Sequence, residues 1–264
     1  MRWVSAYYFR AHMVTMVPRQ VREDMQWMAG AGTDAVTVAV LEQDLHAAVE
    51  NLALIGAEAE RAGLALYATP ARWGSLVAGS PKVSSTFASS HPEVWARDEN
   101  GAPRRFIGPV ASVHHPRTVE CFRQSLRRLL EIAPIQGIIW DEPKALTQKD
   151  YSPMARQALK DKHIEDPDVH TDAQAEFFET VTAAALEGHP DLEVVMFLPG
   201  QMSGYPVERC ARIKGLTAFG LDGRPWRRAD GGLGDGAKDR PATKFRYDHG
   251  PMFMRLAREN DKQA

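Results

Sequence analysis

Cysteine is nearly absent: Cys121 and Cys210 are the only two in 264 residues, too few for a disulfide framework and in no metal-like spacing. Such a chain reads as belonging to a reducing compartment. Charge of one sign is not in excess either, with 32 Lys and Arg against 34 Asp and Glu. It therefore lacks the basic surface that neutralises nucleic-acid phosphates or an anionic membrane. There is no run of about 18 apolar residues, the length a membrane-spanning helix requires. Met1-Arg2-Trp3 leads directly into a strand-like segment, without the charged, apolar and small-residue regions of a secretory leader. The expectation is a soluble cytoplasmic protein whose partner is a small neutral or weakly charged molecule, with no nucleic acid and no membrane. Hydrophobic residues are plentiful at 44%, and with 25% charged residues they suit one large globular domain over residues 1–264.

Short apolar runs alternate with longer amphipathic ones. Trp3 to Phe9 is rich in aromatic residues, and Val21, Met25 and Met28 then recur at helical spacing between Pro18 and the glycines Gly30 and Gly32, the usual punctuation of a helix. The pattern repeats as strand Ala35–Val40, helix Asp44–Ala62 and strand Leu64–Thr69. After a long connection come helix Thr118–Ala133, strand Ile135–Trp140, helix Ala173–Glu187, strand Leu192–Leu198, helix Pro206–Ile213, strand Leu216–Leu221 and helix Pro251–Asn260. Strands alternating with helices imply parallel pairing through right-handed crossovers. Near-continuous apolar strands imply a sheet covered on both faces. A doubly wound sheet and a (β/α)8 barrel both satisfy this. The connection after Phe9, RAHMVTMVPRQ, has no glycine-rich phosphate loop, which counts against the dinucleotide-binding form.

The fold expected is thus α/β, a TIM-barrel-like (β/α)8 arrangement that is open or incomplete. About six β/α units are legible, and the chain stops at ENDKQA where a seventh strand would begin. Phe106 to Val113 (FIGPVASV) is the best candidate for a strand concealed in a loop. Unpaired edges of such a sheet invite self-association, so the chain is expected to be either a fragment or a homo-oligomer.

Two long connections stand out, at residues 72–117 and 223–247. The first follows the carboxyl end of strand three, the face where barrels place their sites, and carries Trp73, His91, Trp95, His114 and His115. The second contains Arg224 and Trp226. The segment IQGIIWDEPK runs from a buried strand into acid. Because strand side chains alternate, Gly137, Ile139 and Asp141 share one face while Ile138, Trp140 and Glu142 point the other way. Strand six has the same phase, with Ala218, Gly220 and Asp222 inward. Ionised carboxylates are costly to bury without partners, so acids at two strand ends point to a wet site.

Two carboxyls facing each other are the working parts of glycoside hydrolysis. Trp73, Trp95, Trp226 and Tyr8 offer flat faces to a sugar ring. His12, His91, His114, His115, Lys144, Gln201 and Arg224 offer hydrogen bonds to its hydroxyls. The catalytic candidates are Asp141, Asp222 and Glu142, with a carbohydrate as substrate and no cofactor or metal expected.

The succession SSHPEVWARDENGAPRRF, SVHHPRTVECFRQSLRRLLE and IQGIIWDEPK resembles the middle of a group of (β/α)8 glycoside-hydrolase-like proteins, in which a His-Pro-Glu-x-Trp-x-x-Arg-Asp-x-x-Gly loop precedes a helix and an acid-ended strand. The likeness is specific over residues 90–144 and is a general barrel pattern before that. It implies a nucleophilic Asp at the end of strand four, in the Trp-Asp context matched by Trp140-Asp141. It also implies an acid/base Asp after strand six, matched by Asp222. The other large barrel group carries Asn-Glu-Pro at strand four and a Glu nucleophile on strand seven. Here Asp141-Glu142-Pro143 stands in that place and no strand seven is legible. Two other classes stay open: a metal-dependent sugar isomerase or endonuclease barrel drawing on His12, His114, Glu142 and Asp222, and a non-catalytic carbohydrate-binding barrel.

Overall fold

The structure is a computed structural model that describes residues 4–8, 16–79, 81–146, 148–160, 162–200, 202–222, 227–228, 245–246 and 249–264. Its centre is a six-stranded sheet in which β1 (Val4–Tyr8), β2 (Ala35–Val40), β3 (Ala65–Pro70), β4 (Gly137–Asp141), β5 (Glu193–Pro199) and β6 (Ala218–Asp222) lie in sequence order. Every neighbouring pair is parallel. The helices are α1 (Pro18–Gly30), α2 (Asp44–Ala47), α3 (Val49–Arg61), α4 (Thr86–Ser90), α5 (Pro116–Ile132), α6 (Pro153–Ala158), α7 (Pro167–Gly188), α8 (Tyr205–Ala211) and α9 (His249–Glu259). Two-residue strands β7 (Arg227–Arg228) and β8 (Phe245–Arg246) pair antiparallel to each other, apart from the main sheet.

The helical punctuation has local causes. Pro116 opens α5 where its missing N–H costs nothing, and the His115 ring caps the turn by accepting the Arg117 N–H at 3.2 Å. Asp166 caps α7 in the same way through the Asp168 N–H at 2.9 Å. The expected single helix over 44–62 breaks at Ala48, whose backbone is non-helical, into α2 and α3.

The two faces of the sheet are different compartments, as the alternation requires. Val36, Val38, Val40, Leu66, Ile138, Trp140, Val194, Met196, Leu198 and Phe219 pack against the helices in one large core. Trp140 anchors it, donating its indole N–H to Thr182 Oγ1 at 3.0 Å and packing 5.3 Å from the Phe178 ring. The opposite, inner face is a separate cluster of Ala35, Ala65, Tyr67 and Ile139, with Val195 and Phe197 against it. Tyr67, Gly137 and Glu193 are level across β3, β4 and β5, and the Tyr67 hydroxyl donates to the Glu193 carboxylate over the glycine between them. A Cβ on Gly137 would lie 2.2 Å from the Tyr67 ring, so glycine is what lets that ring cross the strand.

Among the described residues the sheet has six strands and no pairing of β1 with β6, the open, barrel-like arrangement expected. After α9 the chain returns to the free edge of β6, where Gln263 bridges Ala218 in parallel; Gln263 N–H donates to Thr217 O and Phe219 N–H to Gln263 O, both at 2.9 Å. The concealed strand expected at 106–113 does not join the sheet. Residues of that stretch instead close isolated antiparallel bridges within their own loop, Arg105 with Pro109 and Trp95 with Ala111. No helix among the described residues is long and apolar enough to cross a membrane.

Candidate active site

Asp141 ends β4 level with Phe197 of β5, and Phe197 is level with Gly220 of β6. Asp222, two residues beyond Gly220, therefore shares both the face and the end of the sheet with Asp141. Strand spacing and rise place their backbones ~10 Å apart across the sheet and ~7 Å along it. Asp222 is exposed and Asp141 half-buried. Burial is the main cause that raises the Asp141 pKa, reinforced by the charges of Asp222 and Glu142 and opposed by a hydrogen bond from the Gly79 N–H. The Asp222 charge thus acts on the Asp141 carboxyl.

The loop leaving β3 builds the surroundings of Asp141. Gly79 N–H donates to Asp141 Oδ2 and Ala78 N–H to its backbone oxygen, at 2.8 and 2.7 Å. Gly79 has φ +68, and a Cβ there would meet the Ala71 Cβ at 2.5 Å, so both space and backbone favour glycine. Glu142, the residue just past β4, has φ 39, a strained value for a residue with a side chain. Its carboxylate is ion-paired with Lys144. The Lys144 ammonium sits 5.6 Å from the centre of the Phe106 ring and the Arg72 guanidinium 5.3 Å from the same ring. Behind this, the buried Glu42 carboxylate accepts from Gly74 N–H, Ser85 Oγ, Thr86 Oγ1 and Phe87 N–H, each at 2.8 Å. One side chain after β2 thereby ties down both the start of the loop and the first turn of α4.

No protein-family profile and no curated protein matches the chain. Among solved structures, the α-L-fucosidase isoenzyme 2 from Paenibacillus thiaminolyticus superposes with a TM-score of 0.55 at 14% identity, over 76% of this chain and 33% of that one. A β-galactosidase from the psychrophilic Marinomonas ef1 gives 0.57 at 12% identity, over 85% of this chain and 41% of that one. An α-galactosidase from Geobacillus stearothermophilus in complex with 1-deoxygalactonojirimycin gives 0.55 at 14% identity, over 83% and 30%. The chain shares its fold with these three enzymes. The chain spans 33%, 41% and 30% of these three in turn.

Within this fold the residues singled out from the sequence scatter. Lys144 lies beside Asp141 and Glu142. Tyr8 and Trp73, expected on the substrate side, sit in the helix-facing core. The Tyr8 hydroxyl donates to Asp24 at 2.8 Å, while the Trp73 indole N–H donates to Val40 O at 2.9 Å and its ring packs edge-on to Phe122. Their polar tips found partners inside, which is what lets large aromatics be buried. Trp95 donates to Ala88 O at 2.6 Å and packs within its own loop. His91 lines a different cleft of about 470 Å³, with His46, Arg117, Cys121, Gln124 and Arg128. His115 is the α5 cap. His114 lies near Asp150 and His170, its pKa lowered chiefly by burial. His12, Gln201, Arg224 and Trp226 lie outside the described residues. Among those described, no three His, Cys, Asp or Glu side chains form a metal-holding group. Arg72, Gly79 and Phe106 were not legible as site residues; the placement of Arg72 just past strand three is the one signal that could have suggested it.

Proposed function

We propose that the chain is a glycoside hydrolase acting on a carbohydrate through Asp141 and Asp222. The observation that carries this reading is their common face and common strand end, on a fold shared with solved glycosidases. Asp141 is the nucleophile or charge stabiliser: Gly79 holds its Oδ2, which orients the carboxylate while Oδ1 is directed to the sugar carbon. Asp222, exposed at the tip of β6, is the acid/base that protonates the leaving oxygen and then activates water. Glu142 is the competing acid, but its carboxylate is already engaged in the ion pair with Lys144.

A second reading exchanges the two roles, because the raised pKa of Asp141 suits a group that must hold a proton. Turnover of 4-nitrophenyl glycosides and of the corresponding alkyl glycosides separates them. Asp141→Asn abolishes both reactions if Asp141 attacks, whereas Asp222→Asn spares the activated substrate, whose leaving group needs less protonation. The opposite pattern assigns the acid to Asp141, and full activity in both variants overturns the reading. The anomer released, followed by NMR, then decides between retention and inversion.

A further inference from the structure

Arg72 stands just beyond β3, and its setting is unusual in three independent respects. Its backbone is left-handed, φ 61, and Gly74 at φ 58 and Ser75 at φ 57 continue in that region; strained backbone of this kind persists where the surroundings over-determine it, often at ligand clamps. The residue is only 6% exposed. And while Nε donates to Pro81 O at 2.8 Å, Nη1 is buried with no hydrogen-bond partner among the described residues. Burial lowers its pKa, against the opposing pull of Asp141 and Glu142, so the charge is held at a cost with those two carboxylates as neighbours. A buried guanidinium N–H without a protein acceptor keeps an unmet donor, which an oxygen of a ligand takes up.

We propose that Arg72 Nη1 is the anchoring donor for the substrate, taking a hydroxyl oxygen of a neutral sugar beside the carbon that Asp141 faces. The identity of the ligand rests on the glycosidase reading; the donor role does not. Neutrality follows from charge. Asp141 and Glu142 act on Arg72, the Asp222 charge acts on Asp141 and Lys144 is already committed to Glu142, so an anionic sugar would meet three negative charges against two positive ones. A hydroxyl can accept from Arg72 and still donate to a carboxylate.

The test compares wild type with Arg72→Met and Arg72→Lys, measuring melting temperature alone and NMR-detected binding of galactose, fucose and galacturonate. Arg72→Met keeps the bulk over Phe106 without the donor; it is expected to melt within about 3 °C of wild type and to bind the neutral sugars at least about tenfold more weakly. Should Arg72→Met fail to fold, Arg72→Lys decides in its place: tenfold weaker binding at the wild-type melting temperature supports the assignment and unchanged affinity overturns it. Variants that bind as wild type does overturn the assignment and leave the glycosidase reading standing. Galacturonate bound more tightly than galactose overturns the neutral-sugar assignment. Sugar binding that depends on Arg72, without hydrolysis of any 4-nitrophenyl glycoside, upholds the anchor and removes the hydrolase reading. A wild type that binds none of the three sugars overturns both.

Discussion

Asp141 is an acid kept partly out of water next to two others, and the cost has a sign that can be measured. Its folded pKa is raised above the unfolded value of 3.8, so the folded state binds more protons between those two values. Stability from this group is complete below pH 3.8 and is lost as pH rises through the folded pKa. Asp141→Asn should therefore raise the urea midpoint at pH 7 and leave it nearly unchanged at pH 3.5, while removing activity. Because the Asp222 charge is among the causes of the shift, Asp222→Asn should move the Asp141 titration to lower pH, read from the carboxyl carbon by NMR without any substrate. An unmoved titration would mean the two carboxyls do not share one site.

At the scale of the element, β4 shows what could be read in advance. Gly137, Ile139 and Asp141 inward against Ile138 and Trp140 outward follows from a period of two, and a tryptophan that must be buried fixes which face is which. The six strands were legible for the same reason. What decides the rest is contact between distant segments. Gly79 meets Asp141 across 62 residues and Ser85 meets Glu42 across 43, and no local pattern announces either. The aromatic residues misled because Trp73 and Tyr8 satisfy their polar atoms in the core, something only the folded chain displays. Two substitutions test how such contacts build the site. Gly137→Ala should destabilise by about 2 kcal/mol, within the usual range for overpacking, and Tyr67→Leu in the same chain should recover part of it by clearing the ring away. Additive losses would show that the ring does not occupy that space. Glu42→Ala leaves two backbone N–H groups and two hydroxyls without their acceptor, at about 3 kcal/mol or more. Hydrogen exchange should then rise in residues 74–94 while β2 to β5 stay protected.

For the molecule as a whole, the open sheet and its mouth are held by partly different means. The sheet rests on the helix-facing core, to which the loops after β3 and β4 also contribute, and those loops share in addition a small polar set: Asp150 accepts from Arg97 N–H and Ser152 N–H at 3.1 and 2.8 Å, and the His170 Nδ1 accepts the Asp150 N–H at 3.2 Å. His114 lies beside this set with its pKa lowered chiefly by burial, against the pull of Asp150. Its folded value thus lies below the unfolded 6.5, so the unfolded state binds more protons between the two. Stability is complete above pH 6.5 and declines as pH falls towards the folded value. The charge arises in the loops rather than in the core, and regions with few apolar contacts open first. Acidification from pH 7.5 to 5.5 should therefore raise amide exchange in residues 91–117 and 148–170 before β2 to β5 change. In His114→Gln, which cannot take up that proton, the difference between the two pH values should shrink in both segments. Equal loss of protection across loops and sheet would instead place the acid sensitivity in the fold as a whole.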